Sequence, residues 1–128
     1  MKVALAQINP TIGDLDGNRT KILNYTRRAH EQGADLVVFP ELCVTGYPPE
    51  DLLENPFFKK AVQHTVENIA RHVPPDLGVL IGAPVPNGDQ FGKPLRNAAL
   101  LYENGTLQAR VNKTLLPTYD IFNEDRYF

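Results

Sequence analysis

An α/β fold with parallel strands is the class this sequence predicts, and three observations predict it. Two short apolar segments, KVALAQI (Lys2 to Ile8) and ADLVVFP (Ala34 to Pro40), enclose a stretch of helical periodicity. A second helical stretch leads to a third apolar segment, GVLIGAP (Gly78 to Pro84). An Asn-Gly pair then separates two further strand-like runs, the mark of a hairpin. Strand, helix and strand in close succession form a βα unit, and parallel pairing is its simplest arrangement.

Each element has a local cause. KVALAQI is apolar on both alternating faces apart from Gln7, which predicts a strand covered on both sides. TIGDLDGN is turn chemistry, with Asp14 or Asp16 as a helix cap. Asn18 to Gln32 reads as a helix. Ile22, Tyr25, Thr26 and Ala29 share one face, Arg27, Arg28 and Glu31 lie off it, and Gly33 suits the position after the end. Pro40 has no N–H to give a ladder and closes the second strand. Asn55-Pro56 is a cap followed by a proline in the first turn. The helix it opens runs to about His72, with Phe58, Ala61, Val62, Thr65, Val66, Ile69 and Val73 on one stripe, and Pro74-Pro75 ends it. VPNGDQFGKPLR (Val85 to Arg96) reads as a loop. NAALLYENGTLQARVNK (Asn97 to Lys113) reads as a hairpin turning at Asn104-Gly105. From Thr114 the periodicity dissolves into TLLPTYDIFNEDRYF, an aromatic-rich ending that suggests the front part of a longer protein.

Composition narrows the function. The 128 residues suit one modest domain or part of a larger one. A net charge of -2 favours neither nucleic acid nor an anionic membrane as partner. One cysteine cannot form an internal disulfide, which fits a reducing, cytoplasmic setting. The opening MKVALAQINP breaks too soon for a signal peptide, and no apolar run approaches membrane-spanning length. Asn-x-Thr sequons at Asn18, Asn24, Asn104 and Asn112 are therefore read as chance.

The stretch VVFPELCVTGYPPEDLL (Val37 to Leu53) places Glu41 just past the end of a buried strand, the edge where open α/β sheets gather ligands. A carboxylate there, flanked by Phe39, Pro40 and Leu42, is expected to be partly desolvated and raised toward a general-base pKa. Local pattern alone favours the plainer reading, a capping or turn acid. Lys113, also at a strand end, could stabilise an oxyanion as a fixed charge, although pattern alone favours a solvated lysine. Cys43 has no histidine near it, and an extended segment sets it about 6–7 Å from Glu41 at Cα. A small buried thiol is its expected state. His30, His64 and His72 show no metal-ligand spacing, and there is neither a P-loop nor a GxGxxG.

Two segments are more specific. FPELCVTGYPPEDLL resembles the first catalytic block of the carbon–nitrogen hydrolase (nitrilase) superfamily, and NKTLLPTYDIFNEDRYF resembles its lysine block. The two together, with the opening KVALAQINPTIGDLDGN, resemble the N-terminal glutaminase domain found in glutamine-dependent NAD+ synthetases. The resemblance implies a four-layer αββα sandwich, of which residues 1–128 are the front portion. It also implies a Glu–Lys–Cys triad, with Glu41 as general base and Lys113 supporting the tetrahedral intermediate. Tyr119 matches a position that contacts the glutamine substrate, and Glu124 resembles a supporting active-site acid.

The nucleophilic cysteine lies in a third block, downstream of the lysine block. Cys43 does not match it, and the chain alone is expected to be inactive. The resemblance implies L-glutamine as substrate and a C-terminal NAD+ synthetase domain that uses ATP and Mg2+, with no metal or cofactor in this segment. It also implies homo-oligomers. Two other readings stand beside it: an independent amidase or carbamoylase of the same superfamily, and a non-catalytic binding module on the same fold. A lone front portion is expected to leave apolar surface exposed.

Overall fold

The computed structural model describes residues 1–128. In chain order the elements are β1 (Val3–Leu5), α1 (Leu15–Glu31), β2 (Leu36–Val38), a 3-10 turn (Glu50–Glu54), α2 (Pro56–Arg71), β3 (Gly78–Pro86), β4 (Leu95–Glu103), β5 (Thr106–Asn112) and a last 3-10 turn (Glu124–Arg126). The strands make one sheet in the order β1-β2-β3-β4-β5. β1, β2 and β3 are parallel, and β4 is antiparallel to both of its neighbours. β5 therefore points the same way as β1 to β3, and the C-terminal ends of these four strands gather at one sheet edge. That edge carries the site.

The helices start where their caps dictate. The Asp14 side chain accepts the Gly17 N–H, so α1 begins at Leu15, ahead of the expected Asn18. Asn18 becomes a buried helical residue. Its Nδ2 donates to the Thr11 and Val44 carbonyls, and its Oδ1 accepts from the Thr11 N–H. One amide thus ties both loops that flank the site-bearing edge to α1. For α2, Asn55 Oδ1 accepts the N–H groups of Phe57 and Phe58, and Pro56 occupies the first turn.

Both helices lie on the same face of the sheet and pack against each other. This follows from topology: successive crossovers of one hand, each moving the same way along the sheet, leave their helices on one side. The core lies between these layers and includes Ile22, Val37, Val62, Val66, Ile69, Val79 and Ile81. On α2 the buried stripe takes in Ala70, while Ala61 faces solvent, a correction to the expected stripe.

The first strand also departs from expectation. β1 spans Val3–Leu5 and not Lys2 to Ile8, and it is covered on one face only; Leu5 is 80% exposed. Alternation explains this. Ala4, Val37 and Val79 are in register and point to the helices, while Val3, Leu5, Leu36, Val38 and Leu80 point to the face that no helix covers. β5 is exposed along its whole length. The chain thus holds one helix layer on one sheet, two of the four layers expected.

The hairpin turns as anticipated: Asn104 and Gly105 both take positive φ, 49° and 73°, as a type I′ turn requires. The expected loop at Val85 to Arg96 is shorter, because the ladder continues through Val85↔Arg96 and Pro86↔Leu95. No helix is long and apolar enough to cross a membrane.

Asn55→Ala leaves two first-turn N–H groups of α2 without their acceptor. It is expected to cost about 1 kcal/mol, read as a lower denaturation midpoint by far-UV circular dichroism of the full-length protein, with Asn55→Asp close to wild type.

Candidate active site

The turn after β2 sets Glu41. The Phe39 N–H still donates to the Leu80 carbonyl, and beyond Pro40 the chain folds tightly back. The N–H groups of Thr45 and Gly46 both donate to the Leu42 carbonyl, at 3.1 and 2.9 Å. Leu42 takes the left-handed conformation, φ 49°, which is uncommon for a leucine. Complete burial against Leu53, Leu95 and Phe128 holds it there.

Gly82 on β3 makes the fold-back possible. A Cβ there would sit 2.5 Å from the Leu42 nitrogen and 3.0 Å from the Glu41 Cα. Its neighbours Ile81 and Ala83 belong to the core under the helices, so Gly82 faces the open side of the sheet. The turn therefore lies across that open side.

There Glu41 meets two strands. Asn97 and Lys113 stand opposite each other, one step beyond the Ala98↔Asn112 pair, and the Lys113 N–H donates to the Asn97 carbonyl at 2.8 Å. The Asn97 Nδ2 donates to Glu41 Oε1 at 2.5 Å, and the Lys113 ammonium donates to the same oxygen at 2.9 Å. The ammonium also donates to Glu124 Oε1 at 3.1 Å. Glu124 Oε2 lies 3.0 Å from it but accepts no well-aligned hydrogen bond. The Tyr47 hydroxyl completes the network, donating to Glu124 Oε1 at 2.7 Å. Glu124 itself is fixed by its backbone, whose N–H donates to the Pro117 carbonyl.

Burial grades across the network. The side chain of Glu124 is 6% exposed, that of Lys113 32% and that of Glu41 47%. The Glu41 side chain is thus partly covered, and the groups that meet its carboxylate are Asn97 and Lys113. Burial alone would lower the pKa of Lys113, but the two carboxylates that accept its protons reverse this and hold it above the usual lysine value. The Tyr47 phenol is pushed well up, first by burial and then by the Glu124 carboxylate it donates to, so it stays a donor. Glu41, Asn97 and Lys113 line a cleft of about 320 Å³ whose apolar walls include Phe39, Leu80 and Val111.

Of the residues singled out from the sequence, the structure brings Glu41, Lys113 and Glu124 into one hydrogen-bonded cluster. Tyr119 stands outside that cluster. It is 69% exposed, with its ring edge-on to Phe122 at 5.7 Å. Cys43 is fully buried, its Sγ directed at the Gly82 carbonyl 3.6 Å away, and burial pushes its thiol up to about 12. No cluster of three or more His, Cys, Asp or Glu side chains is arranged to hold a metal.

Sequence reasoning missed Asn97, Tyr47 and Gly82. Asn97 had a visible signal, a polar residue opening the apolar run AALL. Tyr47 lay inside a segment already singled out. Gly82 gave none, since a glycine in an apolar strand is unremarkable until something is seen to lie on it.

A carboxylate–lysine centre at one edge of a mixed sheet, where four of the five strands end, with helices on one face, defines a class of α/β proteins built for polar chemistry at a sheet edge. The carbon-nitrogen hydrolase family matches residues 2–128, and the chain belongs to that family. It is 44% identical to a glutamine-dependent NAD(+) synthetase from Synechocystis sp. over 98% of this chain and 23% of that protein. Its fold superposes with a TM-score of 0.89 on the glutamine-dependent NAD+ synthetase of Acinetobacter baumannii, at 38% identity, covering 98% of this chain and 23% of that one. It also matches an amidase of the nitrilase superfamily from Nesterenkonia AN1, with a TM-score of 0.77 and 26% identity over 95% of this chain and 45% of the amidase. The chain thus spans about a quarter of the synthetases it is similar to.

Two outcomes follow from these geometries. A raised lysine pKa means that Lys113 pairing contributes fully below the unfolded value of 10.5 and is lost as pH climbs past the folded value. A ¹⁵N titration of Lys113 Nζ should therefore have its midpoint above 10.5, and Glu41→Gln should lower that midpoint. Cys43 should resist thiol reagents at neutral pH in the native protein and react once denatured, and Cys43→Ala should leave catalysis intact.

Proposed function

We propose that residues 1–128 are the front portion of a glutaminase domain, and that the whole protein makes NAD+ from deamido-NAD+ with glutamine as its nitrogen source. The observation that supports this best is the Lys113 ammonium held between Glu41 and Glu124 on the cleft. The similarity to glutamine-dependent NAD+ synthetases over 98% of the chain supports the substrate.

The chemistry needs these groups. A primary amide is a poor electrophile, so a thiolate attacks it better than water. Glu41 takes the thiol proton and passes it to the departing nitrogen, which leaves as ammonia. Its Oε2 accepts no hydrogen bond within the chain and is the oxygen free for that proton. Lys113 is a fixed positive charge for the oxyanion, already oriented by its two carboxylates. Water then hydrolyses the thioester to glutamate, with Glu41 as base again.

Cys43 is buried away from the cleft, so the thiol is assigned to a cysteine beyond these residues. Tyr119, exposed beside the cluster, is assigned to glutamine binding, and Glu124 to holding Lys113. Ammonia passes to a C-terminal synthetase domain, which uses ATP and Mg2+ to activate deamido-NAD+. The protein works in the cytoplasm as a homo-oligomer. The likeness to an amidase of the nitrilase superfamily favours a second reading, an amidase that releases ammonia with no synthetase attached.

In the full-length protein, Glu41→Ala and Lys113→Ala should each reduce glutamine-dependent NAD+ formation by about a hundred-fold or more, while ammonia-dependent formation persists. Loss of both activities would count against a glutaminase role. Absence of any NAD+ formation alongside amide hydrolysis would favour the amidase.

A further inference from the structure

The proposed chemistry assigns no role to two side chains of the cluster, Tyr47, which donates to Glu124, and Asn97, which donates to Glu41 itself. Asn97 is 3% exposed, and it joins the two charged groups from a single backbone position. Its side chain donates to Glu41 Oε1 at 2.5 Å, and its carbonyl accepts the Lys113 N–H at 2.8 Å. Burying an amide is unfavourable unless its hydrogen bonds are made. The placement of its donor is informative. Asn97 and Lys113 both donate to Oε1, and Oε2 receives nothing from the chain. The carboxylate is therefore held with one oxygen occupied twice and the other presented bare to the cleft that Asn97 itself lines.

We propose that Asn97 is a positioning residue of the glutaminase site: its amide clamps Oε1 of Glu41 and aims Oε2 at the proton it must take. A hydrogen bond donated to the charged form of a carboxylate favours that form. The clamp also limits rotation of a side chain that is otherwise half exposed on a turn. Lys113 alone does not fix the carboxylate plane, because an ammonium is a point charge with rotatable donors, whereas the Asn97 amide is planar and held by a strand. The charged and titratable groups around Glu41 are Lys113 from the end of β5, Glu124 from the last 3-10 turn, and Tyr47 from the turn after β2. None of them replaces the donor that Asn97 supplies.

The proposal rests on the glutaminase reading, and the experiment separates the two. Full-length protein is assayed for glutamine hydrolysis, for ammonia-dependent NAD+ formation and for the pH profile of kcat/KM. A wild-type protein without glutamine hydrolysis, or a Glu41→Gln variant that retains it, overturns the underlying reading before Asn97 is tested. Given that reading, Asn97→Asp keeps the shape and replaces the donor with a second carboxylate. The acidic limb of its kcat/KM profile should move up by about one pH unit or more, and kcat at neutral pH should fall about ten-fold or more. KM for glutamine and ammonia-dependent activity should change little. Asn97→Ser, a smaller change, should show the same upward shift to a lesser degree, and it decides the question where Asn97→Asp fails to fold. A lower kcat with the acidic limb unmoved in the folded variants would make Asn97 merely structural and overturn the proposal.

Discussion

The site depends on a single ammonium that keeps two carboxylates together. Glu41 and Glu124 reach the same point from distant parts of the chain, and Lys113 lies between them, 2.9 Å from one and 3.0 Å from the other. Without it the two acids would repel each other, and a nearly buried Glu124 would be left uncompensated, which is strongly unfavourable. With it, three segments that share no secondary structure are joined: the turn after β2, the end of β5 and the last 3-10 turn. Lys113 also gains, since the paired acids keep its charge in a partly buried place. Structure and proposed chemistry thus use the same positive charge.

Strand direction brings these groups within reach. β2 and β5 are separated in the sheet by β3 and β4, yet they end at one edge because only β4 runs the other way. Asn97, near the start of β4, lies at that edge for the same reason. Gly82 then lets the Glu41 turn lie flat across β3, and the buried Leu42 side chain holds the turn down. The segment from Thr114 to Asn123 is less constrained, with Leu115, Tyr119 and Ile121 exposed. Its far end is anchored by Glu124 and Phe128. The exposed pairs of Arg126 with Asp51 and Glu54 add little to that anchoring.

Much of this was legible from local chemistry. Asp14, Asn55-Pro56 and Asn104-Gly105 mark boundaries because caps and type I′ turns are decided by a few adjacent residues. The candidate residues Glu41 and Lys113 were visible as charged groups at strand ends, and the resemblance to carbon–nitrogen hydrolases assigned their partnership and pointed to Glu124. What could not be read was set by tertiary placement. Alternation in KVALAQI does not say how many faces are covered, so the open side of β1 went unseen. Flanking apolar residues suggested a partly desolvated Glu41, but the groups that meet its carboxylate, Asn97 and Lys113, come from distant strands. Asn97 looked like the start of a strand because its partner lies 56 positions earlier in the chain. Cys43 drew attention as the only thiol, and its burial removes it from the chemistry.

The proposed chemistry requires Glu41 and Lys113 to serve a thiol that is not Cys43. Peptide mapping by mass spectrometry, after exposing the full-length protein to an electrophilic glutamine analogue, tests it directly. One adduct is expected, on a cysteine outside residues 1–128, formed far more slowly when Glu41 is changed to Gln. An adduct on Cys43, or labelling that proceeds equally fast in the Glu41→Gln protein, would contradict it.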